Sequence, residues 1–208
     1  MTQIGIIDYQ AGNIRSIESA FEALGASVTL VTSTDQISSC THLVLPGVGA
    51  FGFCMDRLRQ SALIPALEDW TLTQKRPMLG ICVGMQLMAD TGYERGVHRG
   101  LGWIGGEVRP LRPDPPTIRV PHVGWNNVEF LEDFGKFQTN EAPDMYFDHS
   151  YAYFDPVHGH MVAACTHGVS FAVVVRRANL VAAQFHPEKS QDAGLKFLDS
   201  FLKLPATC

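Results

Sequence analysis

The sequence predicts an α/β fold of three layers, in which a mostly parallel sheet carries helices on both faces and an antiparallel extension at one end. The first 82 residues alternate short apolar runs with segments of helical periodicity, as βαβ units do. Residues 105–186 contain short strand-like runs with few helices between them, which is typical of antiparallel strands. With 208 residues, 46% of them hydrophobic, the chain is expected to form one domain over residues 1–208.

In the first half, parallel strands are predicted for four apolar runs, at residues 3–8, 27–32, 41–47 and 76–82. Helices are predicted between them at residues 14–24, 52–60 and 62–73. Asn13 stands at the N-cap position of the first helix.

In the second half, strands are predicted at residues 105–111, 117–123, 125–131, 144–154, 160–166, 171–177 and 180–186. A final helix is predicted to begin at Ser190, because Leu195, Leu198 and Phe201 then share one face. The order of these elements supports one sheet with strands of both directions.

Charge and composition exclude several classes of partner. The formal net charge of −5 offers no broad attraction for nucleic acid or anionic lipid. No run approaches the length of about 20 apolar residues that spans a membrane, and the N-terminus lacks the features of a signal peptide. The five cysteines include no C-x-x-C pair, which favours reduced thiols in a cytoplasmic protein.

The stretch LGICVGMQL, residues 79–87, places Cys82 between two glycines where a predicted strand ends. The pattern G-x-nucleophile-x-G is typical of a sharp strand-to-helix turn that holds the nucleophile in a strained backbone conformation. A helix that begins near Val83 places its positive end at the sulfur, which favours the reactive thiolate. Taken alone, the pattern fits a catalytic thiol and a buried structural cysteine equally well.

The stretch QFHPEKS, residues 184–190, supplies a base and an acid for such a nucleophile. In an extended segment, residues i and i+2 point the same way, so Glu188 can bond one imidazole nitrogen of His186 while the other faces the thiol. This arrangement fixes the tautomer and stabilises the imidazolium. Cys82, His186 and Glu188 are therefore predicted to form a catalytic triad.

Three glycines of LVLPGVGAFG, residues 43–52, have the spacing G-x-G-x-x-G, namely Gly47, Gly49 and Gly52. One interpretation is a dinucleotide site, although that pattern usually occupies the first βα turn of a fold. The other is a loop whose N–H groups bind a developing oxyanion, with the N–H of Val83 as the second donor.

The stretches PGVGAFG, GICVGMQL and FHPEKS, in that order, resemble the three signatures of class I glutamine amidotransferases. The resemblance covers nearly the whole chain and implies a flavodoxin-like form of the predicted fold. It implies an enzyme that hydrolyses L-glutamine to glutamate and ammonia without a cofactor or a metal. In such an enzyme Cys82 forms a glutamyl thioester, and His186 protonates the departing ammonia and then activates water.

The same resemblance implies roles for further residues. Gly47, Val48 and Gly49 match the mobile oxyanion strand of the family, and Val83 matches its fixed second donor. Leucine is usual where Val83 stands, but only the backbone is needed there. The positions that match the glutamine-binding site are Gln86, Glu94, His149, Ser150 and Tyr151.

Within the family, GNIRS, PHVGWN and YFDHSY resemble the glutaminase subunits of imidazole glycerol phosphate synthases, of histidine biosynthesis. That resemblance implies a heterodimer with a separate (β/α)₈-barrel cyclase subunit, which receives ammonia through a channel and makes imidazole glycerol phosphate and AICAR ribonucleotide. The residues in motifs at or near the interface are Asn13, Trp125, Tyr146 and Lys189. Asp148 departs from the family's Phe-Val-His run and adds a carboxylate near the predicted site.

Three other functions stay open at this point. The chain can be a paralogous class I amidotransferase that feeds ammonia to an amino-sugar synthase, a cysteine-dependent α/β-hydrolase, or a non-catalytic nucleotide-binding module. In α/β-hydrolases the acid precedes the histidine, whereas Glu188 follows His186, so the residue order favours the amidotransferase.

Of the seven histidines outside the predicted triad, five lie in short clusters or motifs that require an interpretation. His158, His160 and His167 lie close together but lack a cysteine or carboxylate frame, so they are predicted to be surface histidines and not metal ligands. His122 and His149 fall in family-like motifs and are predicted to position groups near the interface.

Overall fold

The computed structural model describes residues 2–154 and 160–206, and His158 and Cys208 lie outside these residues. Its strands are, in chain order, β1 Gln3–Ile7, β2 Ser27–Val31, β3 His42–Leu45, β4 Met78–Ile81, β5 Thr91–Gly92, β6 His98–Arg99, β7 Glu107–Pro110, β8 His122–Asn127, β9 Glu129–Phe130, β10 Asp144–His149, β11 Tyr151–Phe154, β12 Met161–Thr166, β13 Ser170–Arg177 and β14 Leu180–Ala183. Its α-helices are α1 Ile14–Ala23, α2 Phe51–Gln60, α3 Ile64–Glu68, α4 Val83–Leu87 and α5 Gln191–Leu202.

The central sheet has eight strands in the order β2-β1-β3-β4-β14-β13-β12-β9. The first five are mutually parallel, and β13, β12 and β9 continue the sheet in antiparallel fashion. The connection from β1 to β2 runs towards one side of the sheet, and the connections from β2 to β3 and from β3 to β4 run towards the other. Because such connections are right-handed, the helices before and after this reversal lie on opposite faces. The predicted α/β fold, with a mostly parallel sheet and an antiparallel extension, is confirmed.

The strands β3, β4 and β14 lie side by side at the centre of the sheet, and all their residues are buried. Strands covered on both faces read as continuous apolar runs, which explains HLVL, MLGI and LVAA. Because these strands are parallel, the segments that follow Leu45, Ile81 and Ala183 emerge at the same edge. All three predicted signature motifs follow these strands.

Two parts of the second half differ from the sequence prediction. Residues 117–121 are not a strand, because β8 begins only at His122 and then runs through Asn127. The run 144–154 is split at Ser150 into β10 and β11, which belong to different sheets. The pair β8–β10 forms a ribbon, and β11-β7-β5-β6 forms a small sheet, so only part of the second half extends the central sheet.

The helices agree with the predicted segments apart from their ends. α3 continues into a π-helical turn at Asp69–Thr73, and short 3₁₀ turns occur at Thr34–Ser39 and Pro187–Lys189. Asn13 is the N-cap of α1, but its side chain bonds to the Ser16 hydroxyl at 3.0 Å and not to the helix backbone. Among the described residues, no helix has both the length and the apolar character needed to span a bilayer.

Candidate active site

Cys82 lies between the end of β4 and the start of α4, at φ 53°. This left-handed backbone conformation is strained for a residue with a side chain. It is held by the backbone, since the N–H of Cys82 donates to the Ala183 carbonyl at 2.8 Å and its carbonyl accepts from Gln86 N at 3.2 Å. The flanking Gly84 lies so close to β3 that an added Cβ would overlap the Leu45 carbonyl oxygen. The sequence GICVG therefore folds as a tight strand-to-helix turn with a buried cysteine at its apex.

His186 and Glu188 form a buried pair beside this turn. The Nδ1 of His186 lies 2.8 Å from Oε1 of Glu188, whose side chain is 1% exposed. The two residues meet through a 3₁₀ turn that begins after His186, so the predicted extended geometry is wrong although the pairing occurs. The segment is anchored because His186 N donates to the Tyr146 carbonyl at 2.9 Å and Ser190 Oγ donates to the His186 carbonyl at 2.6 Å.

The protonation of His186 depends on its two neighbours. Burial by itself lowers the pKa of this imidazole, but hydrogen bonds to Cys82 and Glu188 and their negative charges outweigh burial and raise the pKa to about 10. The imidazolium is thus the favoured form at neutral pH, with a sulfur on one side and a carboxylate on the other. An imidazolium in this position can stabilise negative charge that develops on the sulfur during a reaction.

The glycine loop after β3 packs directly on this turn. A Cβ on Gly47 would come within 2.7 Å of Gly84 N and 2.8 Å of the Val83 Cβ, and a Cβ on Gly52 would come within 2.6 Å of the His98 ring. Close packing against the chain's own atoms therefore explains why glycine is needed at positions 47 and 52, and a bound dinucleotide phosphate is not required to explain it. The N–H of Val83 is the first of α4 and has no acceptor within that helix.

The N–H of Val48 is engaged elsewhere in this structure. It donates to the Ala11 carbonyl at 3.3 Å, and the Val48 carbonyl accepts from the Cys54 thiol at 3.5 Å. Burial raises the pKa of Cys54 to about 11, so it remains a thiol that donates. An N–H that already has an acceptor must be released before it can bind an oxyanion. Gly49 has φ +116°, a backbone conformation that favours glycine.

A cleft of about 320 Å³ opens over Cys82 and His186. It brings together nearly all the predicted oxyanion and glutamine-binding residues, and its lining comprises Val48, Gly49, Cys82, Val83, Gln86, Glu94, Pro121, Asp148, His149, Ser150, Tyr151, His186 and Lys189. Gly47 is not part of this lining, and it is buried against Val83 and Gly84. The carboxylate of Asp148, which departs from the family pattern, faces the cleft from an exposed position on β10.

Two of the predicted glutamine-binding residues also have structural bonds. Glu94 Oε2 accepts from Phe51 N at 2.8 Å and thereby satisfies an N-terminal N–H of α2. Gln86 Nε2 donates to the Tyr151 carbonyl at 2.9 Å and to Gln184 Oε1 at 3.0 Å. Both side chains are therefore held in place before any substrate arrives.

A chain of neutral histidines supports one wall of the cleft. Asn126 Nδ2 lies 3.1 Å from His122 Nε2, His122 Nδ1 lies 3.0 Å from His149 Nε2, and His149 Nδ1 lies 2.9 Å from the Tyr151 carbonyl. Because the amide can only donate and the carbonyl can only accept, each histidine carries its proton on Nδ1. Burial lowers the pKa of His122 to about 3 and that of His149 to about 4.

Acidification is expected to destabilise the protein through these two imidazoles. Their ordinary pKa is 6.5. Below that pH both imidazoles are protonated in the unfolded chain, whereas in the folded protein they stay neutral until the pH approaches their lowered pKa values. Stability should then fall with decreasing pH by up to about 1.4 kcal/mol per pH unit for each imidazole. Urea unfolding of wild type and His122→Phe between pH 7 and 4 measures this slope. The variant should show a shallower slope than wild type, and parallel slopes for the two proteins would refute the assignment.

Two of the remaining histidines lie at the surface, as predicted. His160 and His167 are half-buried, so each keeps part of its surface exposed. His167 stacks on His122 with ring centroids 4.1 Å apart, and its Nε2 lies 2.8 Å from the Arg119 carbonyl. Among the described residues, no group of three or more His, Cys, Asp or Glu side chains has an arrangement that could hold a metal ion.

Three of the four predicted interface residues cluster at the mouth of the cleft. Trp125 and Tyr146 pair across β8 and β10 with ring centroids 5.9 Å apart, and Lys189 Nζ lies 5.6 Å from the Tyr146 ring. Trp125 is 48% exposed, which is unusual for so large an aromatic side chain. Asn13 is not part of this cluster, since its described side-chain bonds are to Ser16 at the start of α1.

Sequence reasoning missed several residues that shape the site. Gln184 lies in the quoted motif QFHPEKS, and an amide directly after the buried strand LVAA was the available signal. Cys54, Ala11 and Pro121 carried no such signal, because they reach the site only through tertiary packing.

The chain is similar to known proteins over most of its length. Residues 5–204 match the family model described as glutamine amidotransferase class-I. The subunit HisH of imidazole glycerol phosphate synthase from Zymomonas mobilis subsp. mobilis is 45% identical over 203 residues, which cover 96% of this chain and 94% of the relative. The subunit of the same name from Salinibacter ruber is 44% identical over 207 residues, with 97% and 94% covered.

Among solved structures, one titled "Structure of PurLQS from Thermotoga maritima" superposes with a TM-score of 0.74 at 18% identity and covers 97% of both chains. A second, titled "Crystal structure of glutamine amidotransferase", gives the same TM-score at 18% identity. These structures share the fold described above. Together with the family match and the closely related sequences, they lead to the conclusion that this chain belongs to the class I glutamine amidotransferase family.

Proposed function

We propose that this chain hydrolyses L-glutamine to glutamate and ammonia and passes the ammonia to a separate cyclase subunit in histidine biosynthesis. The observation that carries the proposal is the cleft in which strained Cys82 lies beside the buried pair of His186 and Glu188. The relatives named as subunits of imidazole glycerol phosphate synthase support the pathway. We further propose that residues 1–208 act as one catalytic unit in the cytoplasm, and that no cofactor takes part.

The first half-reaction forms a covalent intermediate. The thiolate of Cys82 attacks the side-chain amide carbon of glutamine, and the carbonyl oxygen becomes an oxyanion bound by the N–H of Val83 and an N–H of the loop Gly47–Gly49. His186, as the imidazolium, gives its proton to the departing nitrogen. The C–N bond breaks, ammonia leaves, and a glutamyl thioester remains on Cys82.

The second half-reaction returns the enzyme to its starting state. Neutral His186 takes a proton from water, the hydroxide attacks the thioester carbon, and the C–S bond breaks to give glutamate and the thiolate. Glu188 holds the Nδ1 proton of His186 throughout, which keeps Nε2 directed at the reacting atoms. Gln86, Glu94, His149, Ser150 and Tyr151 lie where they can hold the rest of the substrate.

We propose that the partner is a (β/α)₈-barrel cyclase that forms a heterodimer with this chain and takes up the ammonia by a channel. The cluster of exposed Trp125 with half-buried Tyr146 and Lys189 beside the cleft supports this, because Trp and Tyr are enriched at interface hot spots. Asn13 is proposed to contact the same partner from the start of α1. Direct transfer matters because free ammonia is protonated in water and is then no longer a nucleophile.

Docking of the partner is expected to raise glutaminase activity strongly. The bond from Val48 N–H to the Ala11 carbonyl leaves the oxyanion loop without one of its donors, so the isolated chain should hydrolyse glutamine weakly. Restoring a single oxyanion donor is worth on the order of 10²–10³-fold in kcat. The measurement is glutamate release with and without the cyclase and a substrate analogue of the cyclase.

Equal turnover in the two conditions would overturn the gating proposal. The broader proposal is tested by labelling with the glutamine-derived electrophile diazo-oxo-norleucine, which should modify Cys82. Absence of labelling together with binding of a dinucleotide would instead favour a non-catalytic module. Activation by an amino-sugar synthase and not by the cyclase would favour the paralogous amidotransferase.

A further inference from the structure

The carboxamide of Gln184 is entirely buried between the nucleophile and the cleft wall. Gln184 follows β14 and is 0% exposed, and its backbone N–H donates to the Val173 carbonyl at 2.9 Å. Its side-chain Oε1 accepts from Gln86 Nε2 at 3.0 Å, and its Nε2 lies 3.8 Å from the sulfur of Cys82. One side chain therefore contacts both the nucleophile and a predicted glutamine-binding residue.

The hydrogen-bond network fixes which end of this amide faces the sulfur. The Tyr151 carbonyl can only accept, and Gln86 Nε2 lies 2.9 Å from its oxygen, so this atom must be the NH₂ group of Gln86; the same group lies 3.0 Å from the amide of Gln184. The atom of Gln184 that faces Gln86 is then the oxygen, and the atom that faces Cys82 is its NH₂ group. His149 Nδ1 donates to the same Tyr151 carbonyl, which holds the far end of the network in place.

An N–H directed at sulfur distinguishes the two protonation states of a cysteine. A thiol sulfur is a weak acceptor, whereas a thiolate accepts a charge-assisted hydrogen bond. The distinction is large here because the site is buried and the donor cannot turn away without breaking its bond to Gln86. The same negative charge returns to the sulfur when the thioester C–S bond breaks, so the donor assists that step as well.

We propose that Gln184 is a further catalytic residue, which donates an N–H to the sulfur of Cys82, stabilises its thiolate and connects the nucleophile to Gln86. The proposal rests on the glutaminase function above. The Gln184 amide is a third group that can stabilise negative charge on the sulfur, in addition to His186 and the N-terminal end of α4. This role also explains why an amide, and not an apolar residue, occupies a fully buried position beside β14.

The test is the pH dependence of Cys82 alkylation by iodoacetamide, followed by mass spectrometry of the Cys82 peptide. Gln184→Glu keeps the size and the acceptor for Gln86 but replaces the donor at the sulfur with an oxygen. The pH midpoint of alkylation should rise by at least about one unit, so that alkylation below the midpoint slows about tenfold. Gln184→Met, which removes both polar atoms, should shift the midpoint in the same direction.

Gln86→Met is the matched control, since it removes the bond between the two amides but leaves the sulfur contact. It should raise KM for glutamine and shift the midpoint less than Gln184→Glu does. Circular dichroism melting identifies folded variants, and Gln184→Asn, which retracts the donor, replaces either variant that fails to fold. A profile that coincides with wild type in a folded Gln184 variant would overturn the proposal. Because alkylation needs no turnover, this result is independent of whether glutamine is the substrate.

Discussion

Cys82→Ala is expected to reduce glutamine hydrolysis by at least about 10⁴-fold, because Cys82 is the only cysteine among the described residues that line the cleft and a thioester requires a thiol. Loss of the sulfur also removes the contacts that it makes with His186 and Gln184. The measurement is glutamate release in the presence of the cyclase, where the wild-type rate is highest. Diazo-oxo-norleucine should leave the variant unlabelled.

Cys40→Ala is the matched control for this result. Cys40 is also a buried, free cysteine. It precedes β3, whereas Cys82 follows the parallel strand β4, so the two cysteines lie at opposite ends of the strands. Its replacement should leave the rate and the labelling of Cys82 near their wild-type values. Full glutaminase activity in Cys82→Ala would refute the assignment of the nucleophile, whatever the control shows.

Gly84→Ala is expected to lower the free energy of unfolding by about 3 kcal/mol or more and to abolish activity. The added methyl group would overlap the backbone carbonyl of Leu45 on β3, and neither backbone can yield without moving a central strand. The turn that presents Cys82 would then lose its position against the glycine loop. Urea denaturation measures the stability, and glutamate release measures the activity.

Gly25→Ala separates this steric effect from backbone strain. Gly25 has φ +78°, but no atom lies within 4 Å of an added Cβ, so only the strain of about 1 kcal/mol applies. Its replacement should cost correspondingly less and leave activity intact. Equal losses of stability in the two variants would show that the close approach of Gly84 to β3 is not what makes glycine necessary.

The sequence predicts the central fold well because its strands are buried on both faces. The apolar stretches HLVL, MLGI and LVAA must lie in the interior of the protein. Their order along the chain, with helices between them, is compatible with only a few sheet topologies. The ribbon β8–β10 is harder to predict, because its residues alternate between buried and exposed and the break consists of Ser150 alone, without a glycine or proline. The same alternation fits an extension of the main sheet or a separate one.

The site shows a similar division between local and tertiary information. The sharp turn at Cys82 follows from GICVG, since the glycines and the helix start are local features. The bonds from Val48 N–H to Ala11 and from Cys54 to the Val48 carbonyl join separate segments, and no local pattern encodes them. The direction of the Gln184 amide likewise depends on Gln86 and Tyr151, which come from two other parts of the chain.

The adjacency of β4 and β14 also has a consequence for biosynthesis of the protein. Cys82 and Gln184 touch although 102 positions separate them, and β14 must insert beside β4 before they can meet. Pairing between such distant segments is slow because a long loop must first close. On the ribosome, Cys82 therefore emerges long before the segment that carries His186. A nascent chain can expose its thiol but cannot consume glutamine until the last strand of the parallel sheet is in place.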